Sequence, residues 1–301
     1  MNVLTQLIAS GLTLGTPIVL AALGGMFSYN ARVFNIALES FMLVGAYFSV
    51  TMTQSLGGSV WLGVLAGVLA GGLLALIMGF GVLSWGADEV ILGIAFNLFA
   101  LGLTSYLLTS GSNSGRGFIQ LGHGLPQVEL ASLQHVPILS GLINGHDPIV
   151  FASWLLAALA AWIIYRTRFG LRVKASGESE LGARAVGVAV WRTKMWTFLL
   201  SGLLSGLGGA ELALGSVHLF SQDITAGAGI IAFAAVVFGG GRPGRVILGA
   251  LLFGFAEAGA GVAQVGSTVP PDFVLMVPYV AAIVALAVLG GGRRSRRQGA
   301  A

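Results

Sequence analysis

The sequence predicts an all-α integral membrane protein, a polytopic bundle of about nine spans (eight to ten). Its composition, its succession of long apolar runs and the one-sided placement of its cations all point to that class. Hydrophobic residues make up 56% of the 301 positions and charged residues 9%, and the mean hydropathy is +0.91. A soluble domain carries roughly a quarter charged residues, so most of this surface cannot face water. The 47 glycines suit a membrane bundle, where helix backbones approach closely. The absence of cysteine excludes disulfides and thiolate sites. The first cation is Arg32, so no basic segment precedes the first apolar run. That run reads as a retained span rather than a cleaved signal.

A hydrocarbon core of about 30 Å needs roughly 20 apolar residues as helix. Runs near that length cover 3–27, 35–56, 59–86, 88–110, 148–165, 194–218, 225–241, 244–264 and 272–290. Those at 148–165 and 225–241 are short and suit tilted or broken helices. Lys and Arg favour cytoplasmic loops. With the N-terminus outside and the C-terminus inside, the inner side holds Arg32, seven cations from Arg166 to Lys194, Arg242, Arg245 and the tail residues Arg293, Arg294, Arg296 and Arg297. These are fourteen of the fifteen Lys and Arg residues, and only Arg116 falls outside. The domain organisation is therefore a transmembrane domain over 1–292 and a basic cytoplasmic tail over 293–301. An inner loop over 166–193 and a polar outer loop over 111–147 interrupt the transmembrane domain. This distribution of charge argues for a membrane partner and against nucleic acid.

Small residues recur every four positions at Ser59, Gly63, Gly67 and Gly71, at Ser201, Ser205 and Gly209 beside Gly202, Gly206 and Ala210, and at Ala250, Gly254 and Ala258. Positions four apart share a helix face, so each set forms a smooth strip for a neighbouring helix. At about 1.5 Å per residue, Asn97 lies roughly 14 Å past Asp88 and Glu257 roughly 20 Å past Gly244. Tyr47 falls near mid-span by the same measure, Glu211 nearer the outer mouth and Glu39 at the inner interface. A carboxylate at membrane depth costs a few kcal/mol unless paired, hydrated or protonated. Asn97, Tyr47, Glu257 and Glu211 are thus either a polar lining for a solute path or interhelical packing bonds. His123, His135, His146 and His218 have no metal-site spacing and read as solvated or capping residues.

No phosphate-loop motif is present, because Lys174 and Lys194 follow Val173 and Thr193 rather than a loop glycine. Neither H-E-x-x-H nor G-x-S-x-G occurs. The chain reads as a non-enzyme without a cofactor. If ATP drives it, another chain must hydrolyse the nucleotide.

Several strings together carry a family resemblance. Asn35-Ile36-Ala37-Leu38-Glu39-Ser40 followed by Met42-Leu43-Val44-Gly45-Ala46 resembles the N-I-G-L-E-G-x-M-L-x-G-A signature of simple-sugar and nucleoside ABC importer permeases, in the branched-chain amino acid/ribose superfamily. Asp88-Glu89-Val90-Ile91 with Asn97, the stretch Thr167-Arg168-Phe169-Gly170-Leu171-Arg172 with Gly177-Glu178, and Ala183 through Val188 are similar to further family strings. So are Leu200-Ser201-Gly202 through Ala210, Ile224 through Gly229 with Phe238-Gly239, and Pro278-Tyr279. Ala37 and Ser40 replace two usual glycines, and Lys174-Ala175-Ser176 stands where R-A-x is usual. The resemblance implies a membrane subunit of a bacterial inner-membrane importer for a nucleoside or simple sugar, with a branched-chain amino acid permease or an autonomous carrier as alternatives. It implies a second permease subunit, an ATPase partner using ATP and Mg, and an extracytoplasmic solute-binding protein. It also implies that Glu178–Val188, with Glu178, Glu180, Arg184 and Gly187, docks into the ATPase, and that the outer loop and the 219–224 turn meet the binding protein.

Overall fold

A computed structural model describes residues 3–55, 57–111, 117–128 and 144–264. The expected span at 272–290, Pro278-Tyr279, Arg116, His135 and the basic tail lie outside the described residues.

The described chain is helical apart from two three-residue strands. It runs α1 (Val3–Asn30), α2 (Leu38–Ser55), α3 (Val60–Trp85), α4 (Glu89–Gly111), β1 (Phe118–Gln120), α5 (Pro148–Arg166), α6 (Arg168–Glu178), α7 (Glu180–Ala185), α8 (Val190–Glu211), β2 (Leu219–Ser221), α9 (Ala228–Gly239) and α10 (Pro243–Gln264). A π-helical turn, Leu212–Ser216, prolongs α8. Local chemistry sets several boundaries. Asp88 caps α4 by accepting from the amides of Val90 and Ile91 at 2.9 and 3.0 Å. Asp147 accepts from Ile149 and Val150 at the start of α5, with Pro148 in the first turn. Gly86 ends α3 at φ +68°, a conformation glycine adopts without steric penalty.

Six helices are long and apolar enough to cross a membrane: α1, α3, α4, α5, α8 with its π turn, and α10. Two of the nine expected spans do not qualify. At 12 residues α9 is about 18 Å long, well short of a hydrocarbon core. In α2 the polar residues Glu39, Ser40, Ser49, Thr51, Thr53 and Gln54 dilute the apolar content, and the helix is buried along most of its length. The strands are a smaller departure from an all-α chain. They pair antiparallel, with Ile119 opposite Phe220.

The small-residue strips pack as the spacing predicts. α3 and α8 make the most extensive helix contact, and α2 joins them where three glycines meet. A Cβ on Gly206 would lie 2.6 Å from the Gly67 carbonyl oxygen, and one on Gly45 would lie 2.7 Å from the Gly206 Cα. At the third strip, the Cα of Gly254 on α10 lies against Gly15 of α1, 3.6 Å from where a Gly15 Cβ would be.

The connector 31–37 is not helical, and it carries the chain into the bundle before α2 begins. Asn35 donates from Nδ2 to the Ser201 hydroxyl at 2.8 Å, and Ser201 lies about 16 Å along α8 from Val190. The first turn of α2 lies level with Asn97, about 12 Å past the start of α4. Glu39 is therefore not at the interface as expected but deep among the helices. Tyr47 moves outward with it, edge-on to Phe220 of β2 at 5.2 Å between ring centroids.

Gly206→Val should destabilise the bundle by about 1–3 kcal/mol through overpacking. Gly259→Ala, where a Cβ meets nothing within 4 Å, should leave stability unchanged. Thermal unfolding midpoints in detergent check this, and equal midpoints for the two variants would remove the glycine contact as a determinant of packing.

Candidate functional site

Two ends of the bundle collect different chemistry. At one end α6 lies across the bases of α5 and α1. A Cβ on Gly170 would sit 2.3 Å from the Ile163 carbonyl, and one on Gly177 would sit 2.3 Å from the Asn30 carbonyl. Asn30 also donates to the Gly241 carbonyl at 2.8 Å, which brings the Arg242 turn to the same end. The cations Arg32, Arg166, Arg168, Arg172, Lys174, Arg184, Arg192, Lys194, Arg242 and Arg245 belong to the segments gathered there. Lys174 folds back over the Tyr165 ring, 4.7 Å from its centroid.

Beyond α6 the chain makes one exposed helical turn, α7. Ser179 caps it by accepting from Gly182 at 3.1 Å. Gly187 at φ +80° ends it, with Val188 donating to the Ala183 carbonyl at 2.9 Å. Gly187 is thus a terminator by conformation, since a Cβ there would meet nothing. Ala183 is buried against the bundle, whereas Leu181 and Val186 are 81% and 77% exposed. Glu178 and Arg184 are exposed as well.

Glu180 does not simply face solvent. Its carboxylate is hydrogen-bonded to Lys194 Nζ on α8, and Arg184 stands 3.6 Å away on the following turn. Lys194 is 7% exposed. This buried cation is a functional candidate that sequence reasoning missed. A fourteen-residue separation across two helix boundaries leaves no periodic signal. Glu89, at the first position of α4, accepts from the backbone amide of Phe34. Trp191 Nε1 donates to Ser84 Oγ at 3.2 Å, tying the start of α8 to the end of α3.

At the opposite end the chain segments around β1 and β2 close over the helices. Leu121 and Leu125 donate to the carbonyls of His218 and Leu214 at 3.1 and 2.9 Å. His123 Nε2 lies 2.9 Å from the Gly58 carbonyl oxygen. The two segments expected to meet a binding protein, 111–147 and 219–224, are therefore joined through the sheet where described. His146 reads from the sequence as a solvated or capping residue. It is instead 1% exposed, with Nδ1 3.2 Å from Thr13 Oγ1. Nearby, Glu211 is fully buried. Its Oε1 accepts from Ser216 at 3.0 Å, and its Oε2 has no hydrogen-bond partner among the described residues. Asp147 comes alongside, and both carboxyl groups converge on Gly215.

Between the ends, Asn97 accepts from the Ser40 amide at 3.0 Å and donates to the Ile36 carbonyl at 3.2 Å. Its amide therefore fastens the start of α2. Glu39 does the same for α9. It accepts from the Thr225 hydroxyl, from the Gly227 amide at 3.1 Å and from the Gly229 amide at 2.6 Å. Glu257 is half-buried on α10, and its carboxyl forms no hydrogen bond among the described residues. Among the described residues no three His, Cys, Asp or Glu gather as metal ligands would.

Six of the described helices are long and apolar enough to cross a membrane, and one short exposed helix stands beside the cationic end. The chain belongs to the family described as branched-chain amino acid transport system / permease component, which matches residues 7–288. It is the permease component of an ABC importer and not the catalytic one. It is 34% identical to the guanosine ABC transporter permease protein NupQ of Bacillus subtilis, over 95% of this chain and 92% of that one. It is 32% identical to the nucleoside ABC transporter permease protein NupC of Lactococcus lactis, over 96% and 94%. It is also 32% identical to the putative glucose ABC transporter permease protein TsgC13 of Haloferax volcanii, over 81% and 73%.

The Lys194 hydrogen bond holds the Glu180 carboxyl below the ordinary carboxylate range. A depressed folded value means the ion pair stabilises above the unfolded pKa of about 4.3 and is lost as pH falls through the folded value. A carboxyl-selective NMR titration should show Glu180 titrating below that range, with Lys194→Met returning it upward. Identical midpoints would show that the pair does not form.

Proposed function

We propose that this chain carries a nucleoside through a bacterial cytoplasmic membrane as one of two permease subunits, with simple sugars as the second reading. The observation that carries the solute class is end-to-end similarity to guanosine and nucleoside permeases at 34% and 32% identity. The relative named for glucose keeps the sugar reading. The cationic end is the cytoplasmic one, in keeping with the preference of Lys and Arg for that side, so the N-terminus lies outside and the C-terminus inside.

In this reading α7 docks into an ATPase partner that binds ATP and Mg. Leu181 and Val186 supply exposed apolar contact, Glu178 and Arg184 supply charge, and Gly187 sets the turn. A solute-binding protein meets the sheet end, around β1 and β2. The solute passes a polar path shaped by Asn97, Tyr47, Glu257 and Glu211. Asn97 and Glu211 position helices there, because their side chains are already engaged or enclosed. A two-state bundle shifts only through differential contacts in its two states, and here the ATPase supplies them at α7.

Cells producing this chain with its partner subunits should take up labelled guanosine saturably and only with ATP, with unlabelled nucleosides competing. Competition by glucose alone would transfer the assignment to sugars, and competition by leucine alone to branched-chain amino acids. ATP-independent uptake by liposomes holding only this chain would contradict the importer reading altogether.

A further inference from the structure

A buried ammonium group must keep a hydrogen-bonded anion, because an uncompensated charge in an apolar surround is strongly disfavoured. Lys194 is such a group, and its partner Glu180 belongs to the exposed helix α7. Lys194 sits in the second turn of α8, the helix that packs against α1, α2 and α3. One cation thus joins the exposed helix α7 to α8 and, through α8, to α1, α2 and α3. Among the described residues, the burial of Ala183 and this ion pair tie α7 to the bundle.

We infer that the Glu180–Lys194 ion pair is the link through which displacement of α7 moves the spans. Glu180 and Lys194 are accordingly positioning residues rather than docking contacts. The inference rests on the reading of α7 as the ATPase dock. A shift of α7 that left Lys194 behind would strand the buried ammonium group, so α7 and the base of α8 move together.

The test uses the complete transporter in proteoliposomes and reads two quantities: guanosine taken up per ATP hydrolysed, and the ATPase retained on purification. Lys194→Met and Glu180→Gln should each lower the ratio about fivefold or more, the scale of an ordinary coupling free energy. The double variant should be no worse than the poorer single one, and Lys194→Arg should stay near wild type. ATPase retention should match wild type throughout. A purely structural salt bridge would reduce protein yield or melting temperature but leave the ratio intact. If Lys194→Met does not reach the membrane, Glu180→Gln carries the test alone, since that side chain is half-exposed. An unchanged ratio in the single variants, or losses that multiply in the double one, would overturn the inference. Loss of the ATPase from Glu180→Gln would also overturn it while keeping α7 as the dock. A wild-type chain that retains no ATPase would sink the docking reading itself.

Discussion

The architecture depends on one constraint: backbone amides at a helix start inside an apolar bundle have no water to turn to, and each orphan costs several kcal/mol in hydrocarbon. Among the described residues two helices begin in that situation, and each is capped by a side chain from another helix. Asn97 on α4 accepts the Ser40 amide at the start of α2. Glu39 on α2 accepts the Gly227 and Gly229 amides at the start of α9. The caps form a chain from α4 to α2 to α9, so the register of each helix fixes the next. Glu39 is itself placed favourably, since an anion at a helix N-terminus meets the positive end of the dipole.

The consequences extend to both ends. Because α2 starts inside, its far end reaches the sheet, where Tyr47 packs on Phe220 and Gln54 donates to the Gln120 carbonyl at 3.3 Å. Because α9 starts inside, it spans only the distance back to the cationic end, where Gly241 meets Asn30. α8 runs between the two ends with glycine contacts that let α2 and α3 approach at backbone distance. That closeness leaves α8 little freedom to tilt alone. A force applied near Lys194 is therefore shared among α1, α2 and α3.

Much of this was legible in the sequence. The strip Ser59, Gly63, Gly67, Gly71 announced the α3 contact, and the run 59–86 became α3 at Val60–Trp85. The run 88–110 became α4 at Glu89–Gly111, because Asp88 is a cap visible from its position before Glu89 and Val90. Depth was misread where helical rise was assumed from Asn35. Residues 31–37 climb in a non-helical path, and nothing in a short polar and apolar mixture distinguishes that path from a helix start. The Glu180–Lys194 pair, the burial of His146 and the β1–β2 pairing were hidden for a common reason. Each joins residues that are distant in sequence or separated by a change of element, which periodicity does not register. The identity of Glu39 as a cap was hidden in the same way, since its partners lie 186 to 190 residues on.

In the proposed orientation the cationic end, with α7, faces the cytoplasm and the sheet end faces outward. The chain contains no cysteine, so single cysteines at position 181 in α7 and position 123 at the sheet end report accessibility without background. A membrane-impermeant maleimide applied to intact cells should label His123→Cys and leave Leu181→Cys untouched, with the pattern reversed in inverted vesicles. Labelling of Leu181→Cys from the outside of intact cells would contradict the account.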